Sequence, residues 1–266
     1  MRFAPTYILS AIVIVLALVA SVGGIFINEL YQDNQLVTAA WYGNDLVTLL
    51  VAVPILIVAL FLAIRGSLRA QLVWLGMLDY TLYNFSFYLF GAAFNGLFLV
   101  YVALFVLSIF ALIFGLLALN AKGISEQFGT GTPVRWISGY TLLVALFLGG
   151  FWISLSLNYI FTGYVPQIVI AVEHPTNVIA ALDLSMVVPI QLLGAIWLWQ
   201  RQPWGYVLAA MTNVKGAVYM LVLAVSTITA IQAGVTDDLP MVALWGIIGI
   251  GHLIAILYLL RNLVHD

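Results

Sequence analysis

Two ionisable residues stand in stretches otherwise apolar enough to lie in lipid. Lys215 falls within 201–219, RQPWGYVLAAMTNVKGAVY, and Asp79 within 65–83, RGSLRAQLVWLGMLDYTLY. In each stretch the ionisable residue follows an arginine by fourteen positions and precedes a tyrosine, Tyr219 or Tyr83, by four. A carboxylate and an ammonium in such surroundings can bind a proton, ion or small solute, or can neutralise each other as a buried pair that fixes helix register. A lysine with a nearby carboxylate could also carry a retinal Schiff base, but no rhodopsin motif surrounds either residue. Asp183 and His252 are further titratable groups in apolar runs. The candidate substrate- or ion-binding residues are therefore Asp79, Tyr83, Asp183, Lys215, Tyr219 and His252. No catalytic residue, metal ligand set or cofactor is expected. H-E-x-x-H and G-x-S-x-G are absent, only His252 lies where a membrane haem could use it, and the chain has no cysteine for thiolate zinc, thiol catalysis or disulfides.

The elements that must hold these residues follow from composition. The chain has 266 residues, 65% of them hydrophobic and 7% charged, with a mean hydropathy of +1.16. Soluble domains of this length are far richer in charge. Apolar runs reach the roughly 20 residues that cross a hydrocarbon core about 30 Å thick. The expected fold class is all-α, a polytopic helical membrane protein with eight transmembrane helices near 7–28, 46–64, 71–94, 97–119, 137–158, 177–200, 204–229 and 241–260. The first run is longer than a signal-peptide core and lacks a clear cleavage site, so it is read as a retained helix. A net charge of −2 leaves no basic footprint for nucleic acid. The expected partners are the lipid bilayer and a small-molecule or ion substrate; protein partners are left open.

Orientation follows from lysine and arginine, which favour the cytoplasmic side of short loops. Arg2, Arg65, Arg69, Lys122, Arg135, Arg201 and Arg261 fall at the N-terminus, in alternate loops, or at the C-terminus. The other loops hold Glu29, Asp33, Asp45, Glu173, Asp237 and Asp238. Eight crossings with both termini cytoplasmic satisfy this alternation. The short apolar run 165–172 in an outer loop is expected in the interface or tucked against the bundle.

The twin stretches belong to a longer repeat. Val51-Ala-Val-Pro54-Ile55 in the second span matches Met186-Val-Val-Pro189-Ile190 in the sixth, with one gap before the arginines. Both copies run in the same direction, which predicts a parallel duplication about an axis along the membrane normal. The chain is read as one integral membrane domain whose first four-helix half, 1–120, faces the second, 121–266. Pro54 and Pro189 predict kinks near mid-membrane. Counted at about 1.5 Å per residue from the inner interface, Asp79 and Lys215 lie roughly 14–17 Å deep, where an unpaired charge costs about 2.5–3.5 kcal/mol. The axis then brings them together as a pair. Thr212, Lys215, Tyr219 and Ser226 share one helical stripe and Asp79, Tyr83 and Ser86 another, suggesting a polar core that opens, if at all, towards the outside, with Asp183 near its mouth.

Structural readings stand beside these. Asp183 could hydrogen-bond the start of its helix, where 174–177 reads as a cap with Pro175 in the first turn. His252 reads as a packed, hydrogen-bonded side chain, and Gly246, Gly249 and Gly251 as a small face for close helix contact.

Several motifs resemble a family of uncharacterised bacterial multi-spanning membrane proteins of about eight helices. In the first half these are Asp45-Leu-Val-Thr with Pro54, Arg65-Gly-Ser-Leu-Arg69, Tyr83, Asn95 and Tyr101-Val-Ala-Leu-Phe105. In the second they are Asp183 with Pro189, Arg201-Gln-Pro203-Trp204-Gly205-Tyr206 and Lys215-Gly216. The resemblance covers most of 45–223 and implies a bacterial cytoplasmic membrane. It brings no activity with it, and Asp79 is not part of the family's pattern. Two functions are expected: a transporter or permease for a small solute or ion using the midplane cluster, or a non-catalytic scaffold or partner subunit in which the Asp–Lys pair is structural. A membrane enzyme ranks third.

Overall fold

The computed structural model describes residues 4–174 and 176–264, so the expectations placed on Arg2 and Pro175 lie outside the described residues. Eight long helices dominate: α1 (Ala4–Phe26), α2 (Gln35–Ile64), α3 (Leu68–Gly91), α4 (Phe98–Ala118), α5 (Val134–Thr162), α6 (Val178–Trp199), α7 (Pro203–Gln232) and α8 (Leu239–Arg261). Among the described residues seven of these are long and apolar enough to cross a membrane. The exception is α3, which has the length but carries Arg69, Gln71, Asp79, Asn84 and Ser86 along it. Short helical segments, Ala121–Glu126 and Gln167–Val172, sit in the α4–α5 and α5–α6 connections.

Local chemistry sets the boundaries. Asn34, Ser67 and Asn177 each cap a helix by accepting a bond from a backbone N–H three residues on, at Val37, Ala70 and Ala180. Asn177 therefore marks the start of α6. The Asn34 cap starts α2 at Gln35, well before the expected 46, and so places Asp45 inside a helix instead of in an outer loop. At about 1.5 Å per residue, the 30-residue α2 and α7 exceed the hydrocarbon thickness and extend the bundle beyond it.

The two prolines act through the turn before them. Thr48–Ala52 and Asp183–Val187 are five-residue π turns, each followed by a twelve-residue α-helical segment that begins Val-Pro, Val53–Ile64 or Val188–Trp199. The Val53 N–H reaches Thr48 O and the Val188 N–H reaches Asp183 O, five residues back. Proline supplies no N–H and its ring crowds the carbonyl four residues earlier, and widening the turn relieves that crowding.

Packing divides the helices into two groups. In the first, α1 lies on α2 and α4, and α3 on α2 and α4; in the second, α5 lies on α6 and α8, and α7 on α6 and α8. The groups meet where α7 contacts α2 and α3, and where the start of α6 contacts α3. Helices α3 and α7 run parallel and close together, because Gly76 leaves room for Val214 and for the Met211 carbonyl. Hydroxyls join α7 to α2, with Ser226 Oγ donating to Ala40 O at 2.8 Å and Thr229 Oγ1 to Ala39 O at 2.7 Å. The glycines of α8 do not act as one face: Gly249 meets Met220, Gly251 meets Tyr140, and Gly246 faces open space.

Contacts near each end of the bundle tie neighbouring segments together. Arg69 donates to the carbonyls of Leu260 and Leu263 at 3.0 and 2.7 Å, and the Val264 N–H reaches Gln127 O at 2.9 Å. At the opposite end the Ala93 N–H donates to Asp33 Oδ1 at 3.0 Å, and Asn34 Nδ2 to Ala171 O at 2.9 Å.

Candidate functional site

The seam between α3 and α7 holds the ion pair. Lys215 Nζ lies 2.9 Å from Asp79 Oδ2, with side-chain exposures of 4% and 5%. No donor other than this ammonium reaches Asp79 Oδ2 among the described residues. Attraction in low-dielectric surroundings offsets the desolvation of both ions only when they remain together. The other side of the ammonium is aromatic, with Nζ 5.5 Å from the centre of the Tyr83 ring. The Tyr219 ring meets Tyr83 edge-on at 4.7 Å.

Tyr83 also links the pair to Asp183. Its hydroxyl donates to Asp183 Oδ1 at 2.6 Å, and Trp152 Nε1 donates to Asp183 Oδ2 at 2.8 Å. Asp183 is 6% exposed and opens the π turn of α6. Its donors come from α3 and α5, so the acid is held across the two helix groups instead of capping its own helix. Five of the six candidates, Asp79, Tyr83, Asp183, Lys215 and Tyr219, therefore form one contiguous cluster. Two carboxyls and one ammonium make its ionisable content unequal.

His252 belongs to an adjoining layer. Its Nδ1 is 2.9 Å from Asn213 Oδ1, while Asn213 Nδ2 donates to Thr141 Oγ1 at 3.2 Å and to Ala209 O at 2.7 Å. With the amide nitrogen committed as donor, the Asn213 oxygen accepts and His252 Nδ1 carries the proton. The ring packs over Gly216, where an added Cβ would fall 2.6–2.7 Å from imidazole atoms, and against Tyr140 at a ring distance of 5.1 Å.

Sequence reasoning missed two polar groups. One is a relay that joins α3 to α2. Tyr80 bonds Thr48 at 2.8 Å, Thr48 donates to Asn44 Oδ1 at 3.1 Å, and Asn44 Nδ2 donates to Asn84 Oδ1 at 2.9 Å. Because Thr48 has one proton and gives it to Asn44, Tyr80 is the donor to Thr48. The second group surrounds Asp45, which is 1% exposed and accepts from Tyr31 at 2.6 Å and Tyr88 at 2.9 Å. Trp41 stacks on Tyr88 with ring centres 4.3 Å apart. Burial, with the Asp45 carboxylate next in importance, pushes the Tyr31 hydroxyl well above the ordinary phenol range, so Tyr31 donates as a neutral phenol. The Asn34 cap, followed by the buried Val37 and Trp41 at helical spacing, was the signal that could have found Asp45.

The polar stripes are only partly interactive. Thr212 and Ser86 return their hydroxyls to carbonyls of their own helices, at Leu208 and Tyr83. Among the described residues no group of three His, Cys, Asp or Glu side chains gathers as a metal site. No protein family, curated protein or solved structure matches this chain, so the resemblance noted from its motifs rests on those residues alone.

Proposed function

We propose that the protein is an eight-helix membrane transporter or permease for a small solute or ion, built from two parallel four-helix halves, with its binding cluster at their seam. The observation that carries this reading is the charge inventory of that seam. Asp79 and Lys215 neutralise each other, whereas Asp183 is held by neutral donors from α3 and α5. A cluster with two carboxyls and one ammonium becomes neutral by taking up one proton or one monovalent cation, and membrane-embedded acids linked by such relays suit coupled binding and release. Asp183 lies in a π turn, a helix irregularity that recurs at functional sites.

The duplication draws support from the matching pairs of π turn, Val-Pro and twelve-residue segment in α2 and α6. The parallel α3–α7 contact and the corresponding neighbours in each group agree with it. Counting α3 as a crossing draws support from its 24-residue length and from loop contacts that bring basic segments to one end and acidic ones to the other. With positive loops inside, both termini are cytoplasmic in a bacterial inner membrane. Under this reading the structure is a closed state, since the cluster is buried. That same closure favours one other reading, a scaffold whose Asp79–Lys215 pair only fixes register.

Infrared difference spectroscopy of the protein in lipid tests the proton-binding step. Stepping the pH should produce a protonated-carboxyl band that disappears in Asp183→Asn and survives in Asp45→Asn. A carboxyl spectrum indifferent to pH, or one unaffected by Asp183→Asn, would refute the assignment.

A further inference from the structure

At the arginine-bearing end, the start of α5 and the α6–α7 turn enclose a surface cavity of about 590 Å³, lined among others by Thr132, Arg135, Trp136, Trp199, Gln200 and Arg201. A smaller pocket of about 160 Å³ shares Trp199 and Gln200 with it and continues between α5 and α6 along Ser138, Leu142, Ala195 and Ile196. The first compartment is polar and carries two guanidinium groups. The second is almost wholly apolar, with Ser138 as its one hydroxyl, and that buried Oγ has no hydrogen-bond partner.

Both arginines occupy positions that are unfavourable for the isolated chain. Arg135 lies in the first turn of α5, which no side chain caps, so its charge opposes the positive end of the helix dipole. It has no hydrogen bond or ion pair among the described residues. Arg201 takes a left-handed backbone conformation with φ 56°. It sits in a helix-terminating turn in which its own N–H reaches Leu198 O at 2.9 Å and the Gln202 N–H reaches Trp197 O at 2.8 Å. The α2–α3 turn has the same two bonds, Gly66 N–H to Ala63 O at 3.0 Å and Ser67 N–H to Leu62 O at 3.1 Å, and there the left-handed residue is Gly66 with φ 95°. Glycine adopts that conformation without steric cost, and arginine does not. The Arg201 guanidinium is only loosely engaged by Tyr206 Oη at 3.5 Å and Thr130 O at 3.4 Å. An anion between Arg135 and Arg201 would pair both guanidinium groups and complement the uncapped start of α5.

We infer that this two-part cleft binds an anionic phospholipid, its phosphate between Arg135 and Arg201, its ester region beside Trp136, Trp199 and Ser138, and an acyl chain in the groove between α5 and α6. The adjoining apolar pocket selects a lipid over a free phosphate, and the belt position of the tryptophans agrees with headgroup depth. This inference requires only that the chain lies in a bilayer, and it stands or falls separately from transport.

Native mass spectrometry of the full chain in detergent, with phosphatidylglycerol, phosphatidylcholine or inorganic phosphate added, tests it. Phosphatidylglycerol should be retained at least about fivefold better than phosphatidylcholine, and Arg135→Gln or Arg201→Gln should each weaken that retention by about fivefold. Arg65→Gln, at the corresponding end of α2, should leave it unchanged. Arg201→Gly provides a second, opposed readout: it should raise the melting temperature of the lipid-free protein by removing backbone strain, while abolishing the preference for phosphatidylglycerol. Equal retention of the two lipids, an equal loss in Arg65→Gln, or displacement of phosphatidylglycerol by inorganic phosphate alone would overturn the assignment. So would an Arg201→Gly protein that keeps its lipid preference.

Discussion

Separating Lys215 from Asp79 by mutation should reveal a strong energetic coupling. The two groups are 2.9 Å apart and almost fully buried, so removing one partner leaves the other as an uncompensated charge in low-dielectric surroundings. Loss of one member of such a pair costs about 3–5 kcal/mol. Asp79→Asn should therefore destabilise by about that amount, and Lys215→Met by a similar amount. The double variant Asp79→Asn/Lys215→Met carries neither charge and should recover most of the loss, to within about 1–2 kcal/mol of the parent. For a chain of this size each kcal/mol moves the melting temperature by about 2–4 °C, so each single variant should melt roughly 6–20 °C lower. Thermal unfolding followed by tryptophan fluorescence in one fixed detergent and lipid mixture measures all four proteins. Additive losses in the double variant, or single variants within about 1 kcal/mol of the parent, would show that the contact carries no such coupling. The exchange Asp79→Lys with Lys215→Asp asks a further question: it should restore folding if the pair is only structural. Restored folding with an abolished Asp183 carboxyl response would mean that the direction of the pair matters to the site.

Three neighbouring contacts give further expected outcomes. Asp183→Asn can turn its amide oxygen to the Trp152 N–H and donate its NH2 to the Tyr83 hydroxyl oxygen, and should be within about 1 kcal/mol of the parent in stability, whereas Asp183→Leu leaves the Tyr83 hydroxyl and Trp152 N–H unpaired and should cost about 2–4 kcal/mol in the same thermal assay. Tyr88→Phe removes one of the two phenols on Asp45 and should cost about 1–3 kcal/mol; an unchanged melting temperature would contradict the assigned bond. Gly216→Ala drives a methyl group into the His252 ring and should cost about 1–3 kcal/mol, with part of the loss recovered by adding His252→Ala.

The pair was legible because charge in an apolar run is conspicuous and because the two stretches repeat the same spacing of arginine, ionisable residue and tyrosine. Its members are brought together where α3 and α7 pack side by side in the same direction. Asp45 was not legible from apolarity, since residues 35–45 contain Gln35, Thr38, Tyr42 and Asn44 and resemble a loop until the Asn34 cap is given its weight. Long-range donors such as Trp152 on Asp183 had no local signature at all, because α5 and α6 meet only through tertiary packing. The prolines announced an irregularity but not its form, which became a widened turn instead of a simple loss of one hydrogen bond. At the hairpin ends the place that Arg201 takes in its turn is taken by Gly66, and not Arg65, in the other, because the two turns share their pair of backbone bonds and a left-handed residue.

The absence of native cysteine makes the seam directly accessible to labelling without a background reaction. Ser86 lies about one turn beyond Tyr83 on α3, and Met211 one turn before Lys215 on α7; they are 0% and 4% exposed. Ser86→Cys and Met211→Cys, placed singly in oriented membrane vesicles, can be exposed to a membrane-impermeant methanethiosulfonate from either face. A transporter that opens its seam alternately should label Ser86→Cys from the acidic-loop face and Met211→Cys from the arginine-bearing face, both at measurable rates in the native membrane. Complete protection of both thiols from both faces, with full labelling only after denaturation, would identify the seam as a static core and contradict transport through it.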